Sequence, residues 1–174
     1  MAPSATDDRE RFSRLFEAHY APVHAFAERR VGRDLADEVT AETFLVAWRR
    51  LEAVPAEPLP WLYGVARNVV LRQRRASVRR ATTLQVLARE RPGPGMGDEG
   101  EHDALWRAWE QLSDSDREIL ALIAWEELSV RDAAMIVSLR APVFSVRLHR
   151  ARRRLERHLQ QPAPSGIPAI PEAS

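Results

Sequence analysis

The stretch SLRAPVFSVRLHRARRRLERHL, from Ser138 to Leu159, crowds arginines together yet returns an apolar residue at a steady interval. At about 100° per residue, Phe144, Leu148, Ala151 and Leu155 fall on one narrow face of a helix. That face has to be buried. The opposite side carries Ser145, Val146, His149, Arg150 and Arg153, so the helix packs by one edge and offers mostly basic groups by the other. Such a helix cannot be a strand or a membrane span, and it belongs to a fold that leaves one flank open to an acidic partner.

The rest of the chain repeats the helical period. Phe12, Phe16, His19, Val23 and Phe26 follow i, i+4, i+7, i+11, i+14 spacing, with a break expected at Tyr20 to Pro22. DLAD starts a second helix with Asp34 as the expected N-cap, running to about Leu51. Its apolar residues split: Leu35, Val39 and Val46 face one way, whereas Phe44, Trp48 and Leu51 face another. It is either sandwiched inside its domain or offers its second side to a partner. After the proline-spaced AVPAEPLP a third helix begins, and no period-2 run bounded by hairpin turns occurs anywhere.

Between about Thr82 and His102 the pattern degrades into RERPGPGMGDEGEHD, the composition of a mobile linker. Beyond it, Leu105, Ala108, Trp109 and Leu112 resume a helical stripe. Ser113 with Asp116, and Ser129 with Asp132, stand as N-cap and N3 pairs of two further helices. The expected fold is all-α, two small helical domains joined by a flexible linker. Residues 11–81 and 103–160 form the domains, 82–102 the linker, and 1–10 and 161–174 disordered ends.

The 174 residues carry a net charge of only +1, but Arg67 to Arg91 and Arg147 to Arg157 form two basic runs while acids gather elsewhere. All 26 basic residues are arginine, and the chain has no cysteine, which excludes disulfides, thiol catalysis and cysteine-ligated zinc. No phosphate-binding glycine loop, metal cluster or paired nucleophile is present, so neither enzymatic activity nor a cofactor is expected. The amino terminus lacks a signal-peptide core and no apolar run approaches a spanning length, which points to the cytoplasm.

From Ser129 onward a short helix with Ala133, Ala134, Ile136 and Val137, a turn near Ser138 and Leu139, and the basic helix follow helix-turn-helix logic. Another two-helix corner with a basic surface would give the same pattern. On the DNA reading, Ser145, Val146, His149 and Arg150 lie nearest base edges, while Arg147, Arg153 and Arg154 suit phosphates. In the third helix Leu62, Ala66, Val69 and Gln73 share one face. Trp61, Gly64, Asn68, Arg72, Arg75 and Arg79 form the opposite stripe, the chemistry of single-stranded nucleic acid. Trp61 alone would be assigned to a core, but its own face carries the arginines.

LADEVTAETFLVAWRRL, LPWLYGVARNVV with its following arginines, and LSDSDREILALIAWEELSVRDAAMIVSLRAPVFSVRLHRARRRL resemble, in order, regions 2.2, 2.3–2.4 and 4 of the extracytoplasmic-function (ECF) group of sigma-70-type bacterial RNA polymerase sigma factors. The resemblance covers most of Phe12 to Leu159. It implies a protein that binds core RNA polymerase through the beta-prime clamp helices and the beta flap. Such a protein recognises the upstream (-35) promoter element with region 4, opens the downstream (-10) element with region 2, and has an anti-sigma factor as a possible partner. Core binding would then employ Asp37, Glu38, Glu42, Phe44 and Trp48. Downstream-element contacts fall to Trp61, Asn68, Arg72, Arg75 and Arg79, and upstream-element contacts to Ser145, Val146, Arg147, His149, Arg150, Arg153 and Arg154.

The chain departs from the family pattern at several points. Ala41 stands where glutamine is frequent, Ser138 where the turn usually has glycine, and Arg140 where an N-cap serine is common. Pro142 and Val143 replace the frequent glycine and threonine, so the family's base specificity does not transfer, and Gly64 lacks the long side chain sometimes found in the downstream-element helix. Of two rival readings, a stand-alone helix-turn-helix regulator that binds DNA as a dimer leaves the double-faced helix and the stretch Trp61 to Arg80 unexplained, and an arginine-rich RNA-binding adaptor predicts affinity for RNA without polymerase.

Overall fold

The computed structural model describes residues 5–81 and 99–160, and all regular structure in them is helical. Helices α1 (Ala5–Val31), α2 (Arg33–Arg49) and α3 (Pro58–Ala81) form the first cluster, with a single 3₁₀ turn at Leu51–Ala53 between α2 and α3. Helices α4 (Glu99–Glu110), α5 (Asp114–Ala124), α6 (Val130–Ile136) and α7 (Ala141–Leu159) form the second. The linker lies for the most part outside the described residues, as does the tail. Helix α4 begins at Glu99, inside the span assigned to the linker.

In the first cluster Val23, Phe26, Ala36, Val39, Ala47, Leu62, Ala66 and Val69 are buried together. Thr40 and Thr43 join them because each hydroxyl donates 2.7 Å to the carbonyl four residues back, Ala36 and Val39, so no polar atom is left unpaired. Three local expectations fail here. The first helix already begins at Ala5, inside the span expected to be disordered. Helix α1 runs unbroken through Pro22, since Leu15 before it and Val23 and Phe26 after it are buried in the same core, which holds both halves in line. Helix α2 starts one residue before Asp34, with Gly32 at the cap in the left-handed region (φ 79°) that glycine enters without a Cβ clash.

In the second cluster the caps form as read from the sequence. The Ser113 and Ser129 hydroxyls accept the Asp116 and Asp132 backbone N–H at 3.1 Å, and each donates back to its aspartate carboxylate. Arg117 then reaches back to the Glu110 and Leu112 carbonyls, occupying acceptors that the end of α4 leaves open. The stripe of α7 packs inward as its spacing requires, with Phe144, Leu148 and Ala151 buried and Leu155 half-buried. Ala133 and Ala134 of α6, both buried, let backbones approach closely.

The turn between α6 and α7 closes as a Schellman motif: the Leu139 N–H bonds the Ala134 carbonyl (2.8 Å) and the Ser138 N–H the Met135 carbonyl (3.0 Å). Its left-handed residue is Ser138, at φ 56°. A side chain there costs about 1 kcal/mol that glycine avoids. Ser138→Gly should therefore stabilise the chain by about 1 kcal/mol and raise the melting temperature by roughly 2–4 °C, read by thermal denaturation. An unchanged or lower midpoint would show that the turn is unstrained.

Candidate nucleic-acid interface

Helix α7 turns Ser145, Val146, Arg147, His149, Arg150 and Arg153 to solvent, all exposed. Arg147, Arg150 and Arg153 form no ion pair among the described residues, so their charge is available to an outside partner. Arg154 differs from expectation. Its Nη1 lies 2.8 Å from both Asp116 carboxylate oxygens, and Asp116 is buried. The guanidinium pins α7 to the amino end of α5 instead of standing free for a phosphate, because an unpaired buried carboxylate would cost several kcal/mol.

On α3, Leu62, Ala66 and Val69 are buried and Asn68, Arg72 and Arg75 exposed, so the two faces separate as the period requires. Trp61 is half-buried and packs against the core, an arrangement between the two readings of it. Gly64 leaves the backbone bare between Trp61 and Asn68: a Cβ there would meet nothing within 4 Å. Arg72 is held by Glu42 across α2 and α3. Asn68 and Arg75 are without a partner among the described residues, and the Arg79 side chain lies outside them.

Helix α2 resolves its divided pattern. Asp34, Asp37, Glu38, Ala41, Leu45 and Trp48 lie within about 100° of one another on its outer face, and all six are exposed. Phe44 does not join them. It is 2% exposed, covered by the α1 rings of Phe16 at 4.8 Å, Phe12 at 6.4 Å and Tyr20 at 6.4 Å. Trp48 stacks its edge on Phe12 (5.1 Å) and remains 41% exposed. The result is an acidic upper half and an aromatic lower half, which Phe16 and Tyr20 extend onto α1. Leu45 is the residue missed in the sequence, although it sits four residues from Ala41 and three from Trp48 on the same stripe.

A second group that no motif announced joins the two clusters. The Glu126 side chain, 1% exposed, is gripped by Arg29 (2.5 Å) and Arg30 (2.9 Å) from the end of α1. Arg30 also pairs with Glu118 of α5 (3.3 Å) and lies 3.4 Å over the Phe26 ring, on which Tyr63 stacks at 4.6 Å. Burial, then the Glu126 charge, pushes the Tyr63 hydroxyl up to about 12, so it stays protonated and hydrogen-bonds that carboxylate. These partners are far apart in sequence, and two arginines at a helix end read only as complements to its dipole.

Among the described residues no group of His, Cys, Asp or Glu is placed to hold a metal ion, and no helix is long and apolar enough to cross a membrane. The family model for sigma-70 region 2 matches residues 15–80. The RNA polymerase sigma factor NccH of Alcaligenes xylosoxydans xylosoxydans is 27% identical over 169 residues, spanning 90% of this chain and 91% of that protein. The same fold occurs in the sigma factor RpoE in complex with the anti-sigma factor NepR from Bartonella quintana. There the TM-score is 0.69 and identity 23%, over 87% of this chain and 98% of that one. It occurs again in CnrH in complex with the cytosolic domain of CnrY, with a TM-score of 0.56 and 20% identity over 85% and 86% of the two chains. The first cluster thus matches a sigma-70 region 2, and the chain is similar along nearly its whole length to an RNA polymerase sigma factor and shares its all-helical fold with RpoE and CnrH.

Proposed function

We propose that the exposed face of α1 and α2 docks on the clamp helices of core RNA polymerase, that the Trp61 stripe of α3 opens and holds the downstream promoter element, and that α7 reads the upstream one. The observation that carries this reading is the presence, on one chain with a sigma-70 region 2, of two separate outward basic faces, one with an aromatic and an amide among its arginines. An aromatic with arginines holds unstacked bases, whereas a helix behind a tight turn enters a major groove. The protein works where polymerase and promoter are, in the cytoplasm. Because the similar structures of RpoE and CnrH hold NepR and CnrY, a small anti-sigma protein is a natural regulator of this chain too.

Retention of core polymerase by the tagged full chain separates this reading from a stand-alone DNA-binding regulator and from an RNA-binding adaptor. Strand opening is tested in the reconstituted holoenzyme. Asn68→Ala, and Asn68→Ala with Trp61→Ala, should bind polymerase normally yet lower permanganate reactivity of downstream-element thymines by about tenfold, in line with about 1–3 kcal/mol per stacked base. Asn68 is exposed, so its variant folds whatever the packing role of Trp61. Undiminished reactivity in both variants defeats the assignment of α3.

A further inference from the structure

We infer that the leading turns of α7 read the methyl groups of thymines, through Val143 and Val146, before any arginine reaches a base; this rests on the reading of α7 as the upstream-element helix. A helix that enters a major groove amino end first brings its opening residues nearest the base edges. Apart from the exposed Arg140 at the N-cap, that end of α7 is short of hydrogen-bonding side chains. Ala141, Pro142, Val143 and Val146 carry none on their side chains, and Phe144 is buried. Ser145 is the single hydroxyl, and it donates to the Ala141 carbonyl at 3.0 Å. Arg147 lies toward the flank of the buried stripe, about 60° from Phe144, where it meets the sugar-phosphate wall and not the groove floor.

What remains on the outer face is apolar. Val143 is 43% and Val146 51% exposed, neither belongs to the core, and Val146 lies almost opposite the Phe144, Leu148 and Ala151 stripe. Pro142, exposed and one turn before Val146, widens the same patch. Isolated exposed valines are ordinary, but here Val146 occupies the centre of a face otherwise built of His149, Arg150 and Arg153, and Val143 lies at its edge beside Arg150. The major groove offers one apolar feature by which a base pair can be told from the others, the thymine C5-methyl. His149 and Arg150, about one turn further along, supply the polar reading at the neighbouring pairs.

The test uses holoenzyme made from the full chain and core polymerase. Its preferred upstream element is selected from randomised DNA, then resynthesised with uracil in place of each thymine in turn, which removes only the methyl. One or two positions should lose about fourfold in affinity, the worth of one buried methyl-sized group. At those positions 5-methylcytosine should bind better than cytosine. In Val143→Ala and Val146→Ala, which leave the core untouched, thymine and uracil should bind equally at the matching position. A holoenzyme that selects an upstream element but ignores the thymine-to-uracil change everywhere overturns the inference, as does an unchanged thymine preference in both variants. A patch that serves protein docking would give the first of these results. A holoenzyme that selects no upstream sequence at all instead overturns the reading of α7 on which the inference rests.

Discussion

A chain carrying Glu126→Ala is expected to lose the attachment between its two helical clusters while each keeps its own helices. Removing the carboxylate leaves Arg29 and Arg30, 29% and 7% exposed at the side chain, without their shared counter-charge. Stripping one partner from a buried ionic group costs about 3–5 kcal/mol, or more than a hundredfold in the balance between packed and separated clusters. Arg30 retains Glu118, and Arg67 stands 3.8 Å from that same carboxylate, so the interface loses its centre and not every contact. The packed chain should have a radius of gyration of about 16 Å, that of a compact body of this length. X-ray scattering of Glu126→Ala should show a clearly larger value with the helical circular dichroism unchanged. An unaltered radius would mean that the apolar contacts between α3 and α6 hold the clusters by themselves.

The attachment bears on function through a mismatch of lengths. Promoter elements about 25 base pairs apart are separated by roughly 85 Å of duplex, at about 3.4 Å per pair, whereas a compact chain with that radius of gyration is only about 40 Å across. With α3 and α7 on the two elements as proposed, the arrangement that buries Glu126 could not reach both at once; docking on polymerase would then break it, and Glu126→Ala should load onto core enzyme more readily than the parent.

The sequence made the helices legible because each is amphipathic by spacing alone. The α7 stripe, the buried side of α3 and both serine caps depend on residues within about three turns of each other, and each formed as read. Four features escaped because they depend on what packs against them. The unbroken course of α1 through Pro22 is enforced by a core gathered from other helices. The withdrawal of Phe44 follows from rings on α1, not from anything on α2. Arg154 looked like one more member of a basic face, and only the fold brings the buried Asp116, 38 residues away, to its tip. The Glu126 group is the extreme case, since a lone glutamate in AWEEL carries no local mark.

Trp48→Ala should reduce affinity for core polymerase by about thirtyfold or more, while Phe44→Ala should lose affinity and stability together. Trp48 is a large ring in the middle of an exposed apolar strip, fixed edge-on by Phe12 and flanked by Leu45 and the acids of α2. Aromatic groups so placed are typical interface anchors, and truncating one costs about 2 kcal/mol or more. Because the ring is 41% exposed and its neighbours stay covered, the fold should survive the change. Phe44 lies beneath the same surface and supports it; truncation there opens a cavity under Phe12, Phe16 and Tyr20 at about 3–5 kcal/mol. Titration of core enzyme with labelled full chain gives the affinities, and thermal denaturation of the same samples gives the stabilities. If Trp48→Ala binds core polymerase like the parent, the exposed face of α2 is not the docking surface. If both variants lose stability equally, the aromatic strip is an extension of the core and polymerase must be met elsewhere on the first cluster.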